Sequence, residues 1–218
     1  MKRLNIPGNV LAILFLVTLI TAAACSTTGM QRSENVQSSM ETVDNDIKLI
    51  VVQLDAIGSS LDELTRPGQA DAKRAFDLFS DNVSKIEKME KDFAKNADEM
   101  TKNGKTYFDA WDKNKNQYDN PEIQRSSDAR RAALGRTYDK IGENNKGVKE
   151  AFRTYVSDVT EIESYISNDL TTKGITSIAS LTDRTVRNGN QLKNELRNLQ
   201  SAIEDARAEM AQSGISMN

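Results

Sequence analysis

Residues 36–64, with the sequence VQSSMETVDNDIKLIVVQLDAIGSSLDEL, decide the fold. Their apolar side chains recur at alternating steps of four and three, which places them in one seam along a helix with a period of about 3.5 residues. Such a narrow seam is buried only when it packs against other helices. The seam consists of Val36, Met40, Val43, Ile47, Ile50, Leu54, Ile57, Leu61 and Leu64.

The same spacing returns in three later segments, which are separated by turn signals. Pro67 and Gly68 end the first segment, because proline cannot continue the helical hydrogen bonds and glycine frees the backbone. Asn120 and Pro121 indicate a new helix start, as its cap and first helical residue. Residues 168–174 weaken the third pattern and predict another turn. Around Gly104 two interpretations stand, a break in the second helix or one helix that continues to Tyr118.

Four segments with such seams predict an all-α protein. Helices of roughly 30–50 residues with short connections pack as antiparallel neighbours. We therefore expect an elongated antiparallel helical bundle or coiled coil of about four long helices. A single helical coiled-coil domain is predicted for residues 35–211, and residues 212–218 are predicted to be a frayed tail.

The N-terminal residues resemble a bacterial lipoprotein signal. A basic start is followed by a short apolar stretch and by three alanines directly before Cys25, the only cysteine. Residues 1–24 are predicted to be the signal peptide, Cys25 the lipidated residue, and residues 25–34 a flexible tether. The alanines also satisfy the pattern for ordinary signal cleavage, which would release a soluble protein with a free thiol. With Ser26 after the cysteine, the lipoprotein interpretation favours the periplasmic face of the outer membrane.

Composition argues against several classes of function. The chain has no histidine, and its single cysteine is the expected lipidation position, which removes most nucleophilic triads and the usual zinc and copper ligand sets. A net charge of −3 with interspersed signs is not typical of nucleic-acid binding. We therefore predict no enzymatic activity, no cofactor, no metal site and no nucleic-acid partner.

An aromatic group precedes the Pro121 turn. Tyr107, Phe108, Trp111 and Tyr118 lie close together in the sequence, and Trp111 is the only tryptophan. One interpretation is a platform that grips a sugar, peptide or lipid at one end of the rod. The other is a wide core plug, since tyrosine and tryptophan pack their apolar bodies while a polar atom stays near water.

Two further features of the third segment are candidate sites. Arg125, Arg130 and Arg131 form a basic cluster that suits an anionic partner, or else a solvated face balanced by acids on a neighbouring helix. Asn145 occupies a seam position, where a buried polar residue fixes register or oligomeric state. The alternative is that the register drifts there and Asn144 or Asn145 faces water.

Beyond the signal, the chain from Val36 to Met210 resembles bacterial envelope lipoproteins of coiled-coil type whose function is unknown. The resemblance rests on the start at Cys25, the sustained seams and the aromatic group. It implies an elongated helical fold and no particular activity. We expect a non-enzymatic scaffold or adaptor held in the membrane by Cys25, which meets a protein partner or a second copy through its seams. The alternative is a binding module for a cell-wall or lipid ligand at the aromatic end.

Overall fold

The computed structural model describes residues 28–114 and 118–211, and it contains five helices in this part of the chain. The helices are α1 (Gly29–Thr65), α2 (Ala72–Asn114), α3 (Pro121–Asn168), α4 (Thr172–Ser177) and α5 (Ala179–Ala211). No strand occurs among these residues. The predicted all-α helical bundle with four long helices is therefore confirmed. The predicted signal peptide, Cys25 and the predicted frayed tail lie outside the described residues.

The four long helices form a closed antiparallel bundle in which each helix packs against the next along the chain. The broadest interfaces join α1 to α2 and α3 to α5, while narrower ones join α2 to α3 and α1 to α5. Polar pairs record the register of each interface. These pairs are Gln53 with Asn82 between α1 and α2, Lys149 with Asp98 between α2 and α3, Asn188 with Asp158 between α3 and α5, and Lys193 with Asp55 between α1 and α5.

The predicted seams form the core of the bundle. All nine seam residues of the first segment are buried, and most of those in the later segments are buried or half-buried. Phe79, Phe93 and Phe152 are the bulkiest fully buried side chains, and the rings of Phe93 and Phe152 lie 6.1 Å apart. Burial of a side chain of this size stabilises the fold by roughly 1.5–3 kcal/mol. The narrow seams therefore supply the apolar surface that holds four long helices together.

Side-chain hydrogen bonds cap the first turns of α1 and α3. The Asn120 side chain accepts a hydrogen bond from the Glu122 amide (2.8 Å) with Pro121 at the first helical position, which confirms the predicted restart. Thr28 caps α1 through the Gln31 amide (3.2 Å). Because α1 begins at Gly29, the prediction of a flexible tether is wrong for residues 29–34, which are helical.

Helix α2 continues without a break through Gly104, so the interpretation with a broken second helix is wrong. Gly104 serves close packing there, because a Cβ atom at this position would lie only 2.0 Å from Cε1 of Tyr138 on α3. Gly189 on α5 is similar, since its Cβ atom would lie 2.9 Å from Tyr155. The last predicted segment is divided, with the six-residue α4 ending at Ser177 and Ile178 separating it from α5.

Candidate functional site

The aromatic group lies between α2 and α3 at the end of the bundle where α1 begins. One hydrogen bond shows which end this is. Asn103 on α2 donates to the carbonyl oxygen of Asn35 (3.5 Å), and Asn35 lies only seven residues after Thr28, the cap of α1. Burial raises the pKa of the Tyr107 hydroxyl above its usual value, and the positive charges of Arg130 and Arg32 partly offset this effect. Positive charges on both α1 and α3 therefore act on this hydroxyl.

Three predicted site residues and one further tyrosine form the aromatic cluster. The Tyr107 ring meets Phe108 edge-on at 5.4 Å and Trp111 at 5.7 Å, and Phe108 meets Tyr138 at 5.4 Å. Such edge-to-face pairs contribute about 0.5–1.5 kcal/mol each beyond the area they bury. All four side chains pack against the core while they keep partial contact with solvent. The cluster therefore fills the core at this end of the bundle and also exposes part of its surface to solvent.

Two polar atoms of this cluster, on Trp111 and Tyr138, are hydrogen-bonded within the protein. Nε1 of Trp111 donates to Oγ of Ser127 on α3 (2.9 Å), and the Tyr138 hydroxyl donates to the Met100 carbonyl oxygen (2.9 Å). Burial also raises the pKa of the Tyr138 hydroxyl far above its usual value, so the group stays protonated as this donor. These bonds fix the rings in place, so the cluster presents a preorganised surface.

Tyr118 lies apart from the cluster, on the connection that leads into α3, with 44% of its surface exposed. None of the ring contacts among the described residues includes it. The structure thus brings together Tyr107, Phe108 and Trp111 and leaves Tyr118 on the surface beyond them.

The basic cluster is divided among three different partners. Nε of Arg125 donates to the Pro121 carbonyl oxygen (3.3 Å) within α3. Arg130 pairs with the carboxylate and carbonyl oxygens of Glu209 on α5. Arg131 forms a two-bond ion pair with Asp112 on α2 (3.1 Å for each bond), and its guanidinium lies 4.3 Å from the centre of the Phe108 ring. Acids on neighbouring helices thus balance Arg130 and Arg131, as one of the two interpretations predicted.

A groove of about 660 Å³ runs beside the cluster between α2 and α3. Phe108 and Tyr138 line it, together with Gly135 and Gly142 on α3, which add no side chain of their own. No atom lies within 4 Å of the place that a Cβ atom on Gly142 would occupy. Sequence reasoning missed this groove, although the seven-residue spacing of the two glycines around Tyr138 on one helix was a usable signal.

Charged side chains of both signs surround this groove. Lys105 and Arg131 contribute positive charge, and Asp139 and Glu143 contribute negative charge. Lys105 also pairs with Asp109 one turn along α2 (2.5 Å). The groove therefore suits a ligand that presents an apolar face together with both an amino and a carboxylate group, rather than a simple anion.

Asn145 lies in the core one turn beyond the groove residue Ile141, with 4% of its surface exposed. Its amide nitrogen makes two long hydrogen bonds to α2, to the Ala97 carbonyl oxygen (3.5 Å) and to the Thr101 hydroxyl (3.4 Å). Its side-chain oxygen has no partner. The interpretation in which Asn145 faces water is therefore wrong, while a role in setting the register stays a prediction.

Neither a membrane-spanning helix nor a cluster of metal ligands is found among residues 28–114 and 118–211. No helix in this part of the chain combines the length and apolarity that a membrane span needs. Within the same residues, no group of three carboxylate, histidine or cysteine side chains is placed to hold a metal ion.

The chain matches no family model, no curated protein and no solved structure.

Proposed function

We propose that the protein is a non-enzymatic envelope lipoprotein, a helical scaffold or adaptor held at the outer membrane by lipid on Cys25 and facing the periplasm. The observation that carries the proposal is the position of α1, which begins at Gly29, only four residues after Cys25. Lipid on Cys25 is then joined almost directly to a closed bundle. A diacylated anchor is sufficient for stable residence in a membrane without a spanning helix.

The dimensions of the bundle suit a spacer. The 48 residues of α3 extend over about 72 Å at 1.5 Å per residue. A rod of this length held at one end carries its far end well away from the bilayer. Any partner bound along the rod is then held at a distance set by the register of the helices.

A partner would meet the outer surface of the closed bundle, because the seams are already buried in its core. Contact through the seams, as first expected, would require the bundle to open. On the outside, Leu49 and Val52 are exposed one turn apart on α1. We propose this pair as the first place to look for a protein partner or a second copy.

Photo-crosslinking in living cells tests the adaptor function. A photoreactive amino acid replaces Val52, and the matched control carries it at Asp128, an exposed position on α3 far from this pair. A discrete heavier band from position 52, absent from position 128 and unchanged by wall-digesting enzyme, is the expected result. A smear that collapses on digestion would refute the protein-adaptor function and point to contact with the wall.

The alternative function is a binding module, and the groove beside Phe108 and Tyr138 favours it. Soluble wall fragments, which combine sugar with amino and carboxylate groups, are the probe, and fluorescence of the sole tryptophan, Trp111, reports binding nearby. Gly142→Phe fills the groove, while Gly58→Phe is the matched control at another helical glycine with open space around it. Saturable binding that only Gly142→Phe abolishes would establish the module, and no binding to the unmodified protein would refute it.

A further inference from the structure

We propose that the start of α3 rests on the lipid bilayer, with Tyr118 and Ile123 at the boundary between headgroups and acyl chains. This proposal deepens the proposed function and depends on the lipid anchor at Cys25. Both side chains are exposed, Tyr118 by 44% and Ile123 by 50%. The tyrosine side chain is amphipathic and the isoleucine side chain is apolar. Both suit the membrane interface, where tyrosine is enriched.

The register of the helices shows that α2 extends beyond the start of α1. Asn35 and Asn103 are level, because the Asn103 amide bonds to the Asn35 carbonyl oxygen (3.5 Å). From this level α1 has six residues back to Gly29, whereas α2 continues for eleven residues to Asn114. At 1.5 Å per residue, α2 extends about 7 Å further than α1.

Helix α3 projects further still. Trp111 on α2 lies level with Ser127 on α3, to which its indole nitrogen is bonded (2.9 Å). Trp111 is about 3 Å beyond the level of Gly29 by the same register, and α3 begins six residues before Ser127, at Pro121. The first turn of α3 is therefore about 12 Å beyond the start of α1, on the side of the bundle to which Cys25 is connected.

The length of chain before α1 limits the distance to the membrane. Cys25 and Gly29 are four peptide units apart, so their Cα atoms are separated by at most about 14 Å, whatever path the chain takes. A bilayer that holds lipid on Cys25 is therefore at most about 14 Å from the start of α1. Helix α3 projects about 12 Å in the same direction. Because α3 spans nearly the whole of the longest distance that this segment allows, the start of α3 meets the headgroup layer.

The charges at this end indicate how the contact is made. Asp119, Glu122 and Asp128 accompany Lys113 and Arg125 at the end of α2 and the start of α3, so this surface is not basic. Attraction to anionic lipid would need clusters of lysine and arginine. We therefore infer a contact made by apolar and aromatic groups, one that persists on zwitterionic lipid and at high salt.

A depth measurement tests the contact in the lipidated full-length protein. Ile123→Cys carries an environment-sensitive fluorophore, and Leu78→Cys is the control, because Leu78 is equally exposed (51%) but lies near the opposite end of α2. Both are reconstituted in phosphatidylcholine vesicles that contain a quencher on the upper acyl chain. A group about 5–10 Å into the interface is within reach of this quencher. We expect roughly half of the emission from position 123 to be lost, and none from position 78.

The outcomes separate the contact from the anchor. Unquenched emission at both positions, from protein that still floats with the vesicles, would refute the contact and leave the anchor intact. Quenching at both positions would mean that the bundle lies flat on the membrane, which would also refute the proposal. Protein that does not float, and whose Cys25 reacts with maleimide, would refute the proposed lipid anchor and the contact with it.

Discussion

Replacement of Gly104 by alanine is expected to destabilise the protein, although alanine is the better helix former. Gly104 lies inside α2, where the substitution alone would stabilise the helix by about 0.8–1 kcal/mol. The new Cβ atom, however, would lie 2.0 Å from Cε1 and 2.3 Å from Cζ of Tyr138. The tyrosine ring must move, and its hydrogen bond to the Met100 carbonyl oxygen is then lost.

The size of the effect follows from three contributions to the free energy of unfolding. Overpacking of a well-packed site costs about 1–3 kcal/mol. Loss of the hydrogen bond from Tyr138 costs about 0.5–1.5 kcal/mol. After the helix-propensity gain is subtracted, we expect Gly104→Ala to lower the free energy of unfolding by about 0.5–3.5 kcal/mol.

Urea unfolding followed by circular dichroism measures this change, and Gly142→Ala is the matched control. Gly142 also lies inside a long helix, but its Cβ atom would meet nothing within 4 Å. This variant is expected to gain about 0.5–1 kcal/mol. In a Tyr138→Ala background, Gly104→Ala is expected to become stabilising as well. The close packing of α2 against α3 would be refuted if Gly104→Ala alone stabilised the protein as much as Gly142→Ala.

Three further predictions concern the core. Phe152→Ala is expected to lower the free energy of unfolding by about 3–5 kcal/mol in urea titrations, because the ring is fully buried against Phe93. Asn145→Ala is expected to raise it by about 0.5–1 kcal/mol in the same assay, since the unpartnered amide oxygen disappears and alanine favours the helix. For Asp44, burial alone would raise the pKa, but hydrogen bonds from Lys48 and Gln200 and nearby positive charges outweigh it, so the pKa is below 3.8. Its contribution to stability is present above that value and is lost as pH falls through the lowered pKa. The melting temperatures of Asp44→Asn and the unmodified protein are thus expected to differ near neutral pH and to converge once the pH falls below the lowered pKa of Asp44.

Each of these predictions has a result that contradicts it. A loss under about 1 kcal/mol for Phe152→Ala would mean that the site is not tightly packed. A destabilised Asn145→Ala, together with a changed mass in sedimentation, would instead support the register role of Asn145. A difference in melting temperature for Asp44→Asn that is the same at neutral and acid pH would exclude a titrating carboxylate as its cause.

The helices and their buried faces could be predicted from the sequence because periodicity alone specifies them. A step pattern of four and three places Val36 to Leu64 on one side of a helix whatever lies opposite, and Pro121 marks a helix start by its own geometry. Gly104 shows the limit of such local reasoning. Glycine in a helix commonly signals a break, and only the position of Tyr138 on another helix explains why α2 continues.

The candidate site was less predictable because its contacts join residues from different helices. Tyr138 follows the seam spacing of the third segment, but its place beside Phe108 depends on the register between α2 and α3. The partners of Arg130 and Arg131 were difficult to predict for the same reason. Arg130 meets α5 and Arg131 meets α2, although the two residues are neighbours in sequence. Such pairings depend on helix order and rotation, which a seam pattern leaves open.

The mass of the intact protein tests for the proposed lipid anchor at Cys25. The protein is extracted with detergent from the membrane fraction of cells and measured by mass spectrometry. The expected result is a chain that begins at Cys25 and carries the added mass of a diacylglyceryl group. A chain that begins at Cys25 with a free thiol, or one that retains residues 1–24, would contradict it.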